Sequence, residues 1–249
     1  MPFRHTLGLI ILSLLLLNAE ANADVMAAKF AYQHWQTDAD SNFGEATDAK
    51  VTIPKEESTQ FKVQLAIEHP FPLIPNFLLA TSKYEQSGAV ALAQTYRLGG
   101  QLYSVASSLN TSAEYSNSDL VMYYELSDNS LFELDLGLQL RFLSADFSAA
   151  DVSKGLSSSG ESKEWRPMGY VKLQSGLPLV GVQSYVQWAQ GGGSKELEAA
   201  VGYRVVDSAL ADLSVFLGYK DSELELDNVD GIFAKHDWQA VFVGVELVF

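Results

Sequence analysis

The sequence predicts an all-β fold: a closed antiparallel transmembrane β-barrel of about ten strands, with short turns at one end and longer loops at the other. Three observations predict it. A short apolar segment with an export-type cleavage pattern opens the chain. About ten segments of period-two alternation follow, with no helical stretch between them. The connectors between those segments alternate in length.

The opening segment has the order of a signal peptide. Arg4 supplies a basic start, Thr6 to Leu17 is a 12-residue apolar run, and Ala21-Asn22-Ala23 is a small-residue cleavage pattern. Twelve apolar residues are too few to cross a bilayer as a helix. Residues 1–23 are therefore read as a signal peptide and 24–249 as the barrel domain.

The strands follow in order, at about 25–36, 58–68, 77–86, 115–126, 131–142, 165–174, 181–190, 195–205, 211–221 and 236–249. The first sets Met26, Ala28, Phe30 and Tyr32 on one face. The second sets Phe61, Val63, Leu65 and Ile67 against Lys62, Gln64 and Glu68. The clearest is the fifth, where Phe132, Leu134, Leu136, Leu138, Leu140 and Phe142 alternate with Glu133, Asp135, Gly137, Gln139 and Arg141. The last sets Val241, Val243, Val245, Leu247 and Phe249 against Phe242, Gly244 and Glu246. Short links follow strands two, four, six and eight, as periplasmic turns. Longer or acidic links follow strands one, three, five and nine, as extracellular loops; only "GGGS", after strand seven, breaks the pattern by being short.

The contents of the two faces select a membrane barrel over a soluble sheet. The apolar faces of the clean strands carry no charge, and an Arg or Lys there would cost ~2–4 kcal/mol at the bilayer midplane. The opposite faces mix Gly137, Gly202, Gly218 and Gly244 with Glu133, Asp135, Arg141, Glu198, Arg204, Lys62, Lys172 and Glu246. Mid-strand glycines make room for long lumen side chains, and charges of both signs imply an internal salt-bridge network with little general conductance. Tyr32, Trp165, Trp188, Tyr203, Tyr219 and Trp238 are assigned to aromatic girdles.

The ending "FVGVELVF" resembles the C-terminal signal by which outer-membrane assembly machinery recognises its clients, through Gly244, Leu247 and Phe249; position 247 is Leu where an aromatic is more usual. With "EHPFPLIPN" and "YYELSDNSLFELDLGL", the chain is similar over its mature length to a family of Gram-negative outer-membrane β-barrels. The resemblance implies that fold, an outer-membrane location, and contact with periplasmic chaperones and the barrel assembly machinery. It implies no particular activity.

Composition narrows the chemistry. The 249 residues include 31 Asp and Glu, 16 Lys and Arg and no Cys, for a net charge of −15. No thiol chemistry or disulfide is available, and the acidity argues against nucleic acid. Lipids and lipopolysaccharide are the expected partners, with weak divalent bridging at acidic segments such as 38–45 and 221–231. Neither segment has defensible calcium-ligand spacing, so no metal or cofactor site is assigned. His34 and His236, on neighbouring first and last strands near Asp38, Asp40 and Asp237, form the one candidate catalytic constellation. The expected function is non-enzymatic, structural or surface-interacting through acidic extracellular loops. A narrow selective channel and a hydrolase using the rim histidines are the alternatives.

Overall fold

A computed structural model describes residues 26–249 apart from 55–56, 129–130, 178 and 209. The proposed signal peptide lies outside the described residues. The strands are β1 (Ala27–Gly44), β2 (Val51–Ile53), β3 (Glu57–Glu68), β4 (Asn76–Ala91), β5 (Tyr96–Leu98), β6 (Gln101–Tyr103), β7 (Ser108–Asp128), β8 (Phe132–Asp151), β9 (Leu156–Leu177), β10 (Val182–Gly191), β11 (Ser194–Val206), β12 (Asp212–Val229) and β13 (Ile232–Val248).

Ten of these close an antiparallel barrel in chain order, β1-β3-β4-β7-β8-β9-β10-β11-β12-β13. The closing pair β13–β1 runs in unbroken register from Lys29↔Val248 to Gly44↔Phe233. Closure leaves no sheet edge, which is what lets a β-structure sit in lipid with its backbone groups paired. β2 caps the upper end of β1, and β5–β6 is a separate small hairpin. The ten barrel strands coincide with the ten read from the sequence. The architecture is that of an outer-membrane-type barrel.

Several strands are much longer than the alternation suggested. β8 has 20 residues, roughly 65 Å at about 3.3 Å per residue, whereas about 9–11 tilted residues cross a bilayer. The segments 143–164 and 221–231, read as loops, are upward continuations of β8, β9 and β12. Asp38–Gly44, within the other acidic stretch, belongs to β1. Two tight turns close hairpins at this end: Gly192-Gly193 (φ 55° and 73°) between β10 and β11, and Asp230-Gly231 (φ 53° and 84°) between β12 and β13. Positive φ at both central residues is the two-residue hairpin geometry that suits Gly-Gly and Asp-Gly. The long connections at this upper end include residues 45–54 and 92–107, and the second carries β5–β6 around Gly99-Gly100.

The extensions invert the strand pattern. In β8 the outward residues are apolar from Phe132 to Phe142, and then become Ser144, Asp146 and Ser148. The inward residues are Glu133, Asp135, Gln139 and Arg141, and then become Leu143, Ala145, Phe147 and Ala149. β12 turns over in the same way, from outward Leu217 and Tyr219 to outward Glu223 and Glu225 above inward Leu224 and Leu226. The level of this switch marks the outer edge of the lipid belt. Below it the outer wall meets hydrocarbon. Above it the wall meets water, and the barrel holds an apolar core like that of a soluble protein. Trp165 and Phe142 pack at 4.9 Å on the outer face at that level. Trp238 is not a girdle residue, because it points inward and is buried in the upper core.

The mid-strand glycines act as expected. Gly137 stands opposite Tyr123, and Gly218 opposite Phe242. A Cβ on Gly218 would lie 2.3 Å from the Phe242 ring. The glycine lets the aromatic lie flat across the neighbouring strand and fill the lumen.

Candidate functional site: the lumen

The middle of the lumen is a charge network inside the lipid belt. Arg141 on β8 forks onto Asp119 of β7, with Nε–Oδ1 at 2.7 Å and Nη2–Oδ2 at 2.8 Å. The two are register partners, so local strand pairing is enough to join them. Arg141 Nη1 also reaches Glu196 Oε1 across the lumen at 2.7 Å, as a charge contact without hydrogen-bond alignment. Lys220 stands 3.2 Å from Glu196, and Lys62 stands 3.2 Å from Glu198. Glu198 also accepts from Gln33 at 2.7 Å and Tyr185 at 2.6 Å. Three cations face three carboxylates, all buried. Such a balanced set tolerates removal from water only while every partner stays in place.

Above it stands a column of rings. Lys220 lies 4.6 Å over the Trp35 ring and joins the two layers. Trp35 meets Tyr84 at 5.4 Å, Tyr84 meets Trp238 at 4.5 Å, and His236 stacks between Trp238 at 4.9 Å and Tyr115 at 4.5 Å. Phe147, Phe43, Tyr96 and Tyr103 continue the column to the upper hairpin. Neither ring nitrogen of His236 has a hydrogen-bond partner among the described residues. Burial pushes its pKa down to about 3, so the ring is neutral. Burial likewise pushes the phenols of Tyr84 and Tyr115 up.

Below the network the lumen opens towards the periplasmic turns. A cavity of about 50 Å³ is lined by Lys29, Glu68, Asp135, Lys172, Tyr123 and Glu246, among others. Lys29 pairs with Glu68 at 2.7 Å, and the Tyr123 hydroxyl donates to Glu68 at 2.7 Å. Asn76 holds Glu125 at 2.7 Å.

The histidine constellation does not form. His34 lies opposite Val243 on the outer face, whereas His236 lies opposite Ser41 and points inward. They are separated by seven register positions, roughly 23 Å of strand, and by the barrel wall. Asp38 and Asp40 face outward, and Asp237 pairs with Lys235 at 2.6 Å. His69 sits in the turn after β3 and contacts the Pro75 carbonyl at 3.1 Å. Of the assembly-signal residues, Gly244 faces inward beside Gln33, Leu247 pairs with Phe30 and Leu213, and Phe249 exchanges backbone hydrogen bonds with Ala28 at 3.0 and 3.3 Å. Sequence reasoning missed the ring column and the Asp119, Glu196 and Lys220 partners. The inverted alternation and the Gly-Gly and Asp-Gly pairs were the available signals.

No family model and no curated protein matches the chain. Among solved structures it is similar to the Ail attachment invasion locus protein of Yersinia pestis, solved with the heparin analogue sucrose octasulfate. The identity is 9%, over 91% of this chain and 100% of that one, with a TM-score of 0.41. The outer-membrane protease OmpT of Escherichia coli gives 12% identity over 92% and 98%, with a TM-score of 0.44. The translocator domain of the autotransporter NalP of Neisseria meningitidis gives 10% over 97% and 95%, with a TM-score of 0.45. At those scores none bears on activity, and the fold stands on the strand register and the closing β13–β1 pair.

Proposed function

We propose that the chain is an integral outer-membrane barrel without enzymatic activity, with a structural or surface-interaction role carried by its raised acidic rim. The observation that supports this best is the double closure of the lumen: a balanced ion network inside the lipid belt and a packed aromatic core above it. A solute would have to break both. The rim is the part offered to the exterior, and its outer wall carries Asp221, Glu223 and Glu225 on β12 beside Asp237 on β13. Lipopolysaccharide, bridged weakly by divalent cations, is the partner this wall suits.

Planar-bilayer recordings test the closure. The intact barrel is expected to give no stable current, and Arg141→Ala combined with Lys220→Ala is expected to raise leak. Large, stable openings of the unaltered protein would instead favour the channel reading. For the rim, exchanging Glu223 and Glu225 for Gln is expected to weaken magnesium-dependent retention on lipopolysaccharide; unchanged retention would remove that partner. The assembly reading of Gly244, Leu247 and Phe249 is supported by the place of Gly244 and Leu247 on the closing strand and by the Phe249–Ala28 backbone bonds just beyond it. Phe249→Asp is expected to lower the yield of inserted, heat-modifiable barrel in cells while leaving refolding in detergent intact. Equal insertion would discard it.

A further inference from the structure

We infer that Glu68, Glu125 and Glu133, backed by Asp135, form a site for a divalent cation, calcium by its chemistry, at the periplasmic mouth of the lumen.

The three glutamates come from three strands and offer carboxylate oxygens that all lie within 4.8 Å of one another. Two oxygens on opposite sides of a calcium ion, at about 2.4 Å each, stand about that far apart. Asp135 is an independent sign of a missing counter-charge. It is 1% exposed, lines the same cavity as Glu68, and its Oδ1 has no hydrogen-bond partner among the described residues. It also stands directly opposite Glu125 in the β7–β8 register, an arrangement of like charges that costs stability unless a cation lies between them. Glu133 Oε1 is buried and has no hydrogen-bond partner among the described residues either. The charges around this mouth do not balance as they do higher in the lumen. Carboxylates of Glu68, Glu125, Glu133, Asp135 and Glu246 face the ammonium groups of Lys29 and Lys172.

Size and donor type narrow the ligand. The cavity of about 50 Å³ beside Glu68 and Asp135 has room for a few waters, whereas organic ligands take about 300–1,000 Å³. The donors are carboxylate oxygens, which suit a hard cation over zinc or copper. Long side chains on separate strands adapt to the larger, irregular shell of calcium more readily than to the strict octahedron of magnesium. Glu133 also lines a separate cleft of about 140 Å³ at the turns, with Gln174, Gln183 and Arg204. Lys29, 2.7 Å from Glu68, is the built-in competitor.

Terbium luminescence on the mature barrel in detergent tests the site, because the Tyr123 hydroxyl lies 2.7 Å from Glu68 Oε1 and can sensitise a bound lanthanide. Tyrosine-excited terbium emission is expected, displaced by calcium and not by potassium. Glu125→Gln and Glu133→Gln are each expected to weaken calcium at least tenfold. Lys29→Met removes the competitor and is expected to tighten calcium several-fold, which keeps the inference testable where a glutamine variant does not fold. Absent or calcium-insensitive emission overturns the site. So does an affinity unmoved by the glutamine variants, or by Lys29→Met.

Discussion

The two halves of this barrel solve the same problem with opposite side chains. In the lipid belt, Leu136, Leu138 and Leu140 face out while Asp135, Gln139 and Arg141 face in. Above the belt, on the same strand, Ser144 and Asp146 face out while Leu143 and Phe147 face in. Nothing in the backbone changes at Phe142. What changes is the solvent on the outer wall, and the lumen takes the complementary chemistry. The lower interior must stabilise charges by pairing, and the upper interior by apolar burial. The first is intolerant of losing one partner. The second is intolerant of losing volume or gaining a charge.

Substitutions on either side of the switch sharpen the comparison. The largest effect is expected from Arg141→Ala, which strands Asp119 and Glu196 and should cost ~3–5 kcal/mol in denaturant unfolding from micelles. Phe147→Ala in the upper core should cost about as much, ~3–5 kcal/mol, but by leaving a cavity beside Phe43 and Tyr115. Removing both partners of the lower fork together, as Arg141→Leu with Asp119→Leu, should cost less than Arg141→Ala alone. No such rescue is expected for the upper pair of Phe147 and Phe43. Next come two arginines on one face of β8. Leu138→Arg should cost ~2–4 kcal/mol in the bilayer. Asp146→Arg, past the switch, should stay within about 0.5 kcal/mol. Asp146 lies in register between Glu114 and Glu161, and its carboxyl is pushed up by burial and by those two charges, so a cation there relieves repulsion. Equal costs for the two arginines would place the lipid edge elsewhere.

The smallest effect is confined to acid. His236 is held neutral by burial, with its pKa pushed down to about 3, while the unfolded chain takes up a proton at about 6.5. The unfolded state therefore binds more protons between those values. Stability is complete above about pH 6.5 and declines as pH falls towards 3. Near-ultraviolet dichroism from Trp238, stacked 4.9 Å from His236, should weaken in that window. In His236→Phe that decline should flatten. A variant with the same acid profile as the original chain would show that His236 is not the group responsible.

Much of this was legible in the residues. The Phe132–Phe142 alternation, the uncharged outer faces and the recurrent glycines led to a ten-stranded barrel with a plugged lumen. The upward extensions were legible too, and were misread. In 143–150 the apolar residues move from even to odd positions, and Asp230-Gly231 is a hairpin pair, yet polar composition led to a loop assignment. Period-two alternation fixes which residues share a face, but it does not say which face meets lipid where the pattern inverts.

By itself the sequence determined the strand count and the two-faced wall, because these depend on alternation along one strand. Only the tertiary structure decided which charges meet. Arg141 finds Asp119 through its neighbouring strand, but Glu196 reaches it across the lumen. His34 and His236 lie on adjacent strands and never meet, because the register offsets them and the pleat turns them to opposite sides. At the periplasmic mouth Glu68 of β3 likewise reaches Glu125 and Glu133, which the β7–β8 hairpin already brings together. Barrel closure and stagger set those distances, and neither is encoded in any single strand.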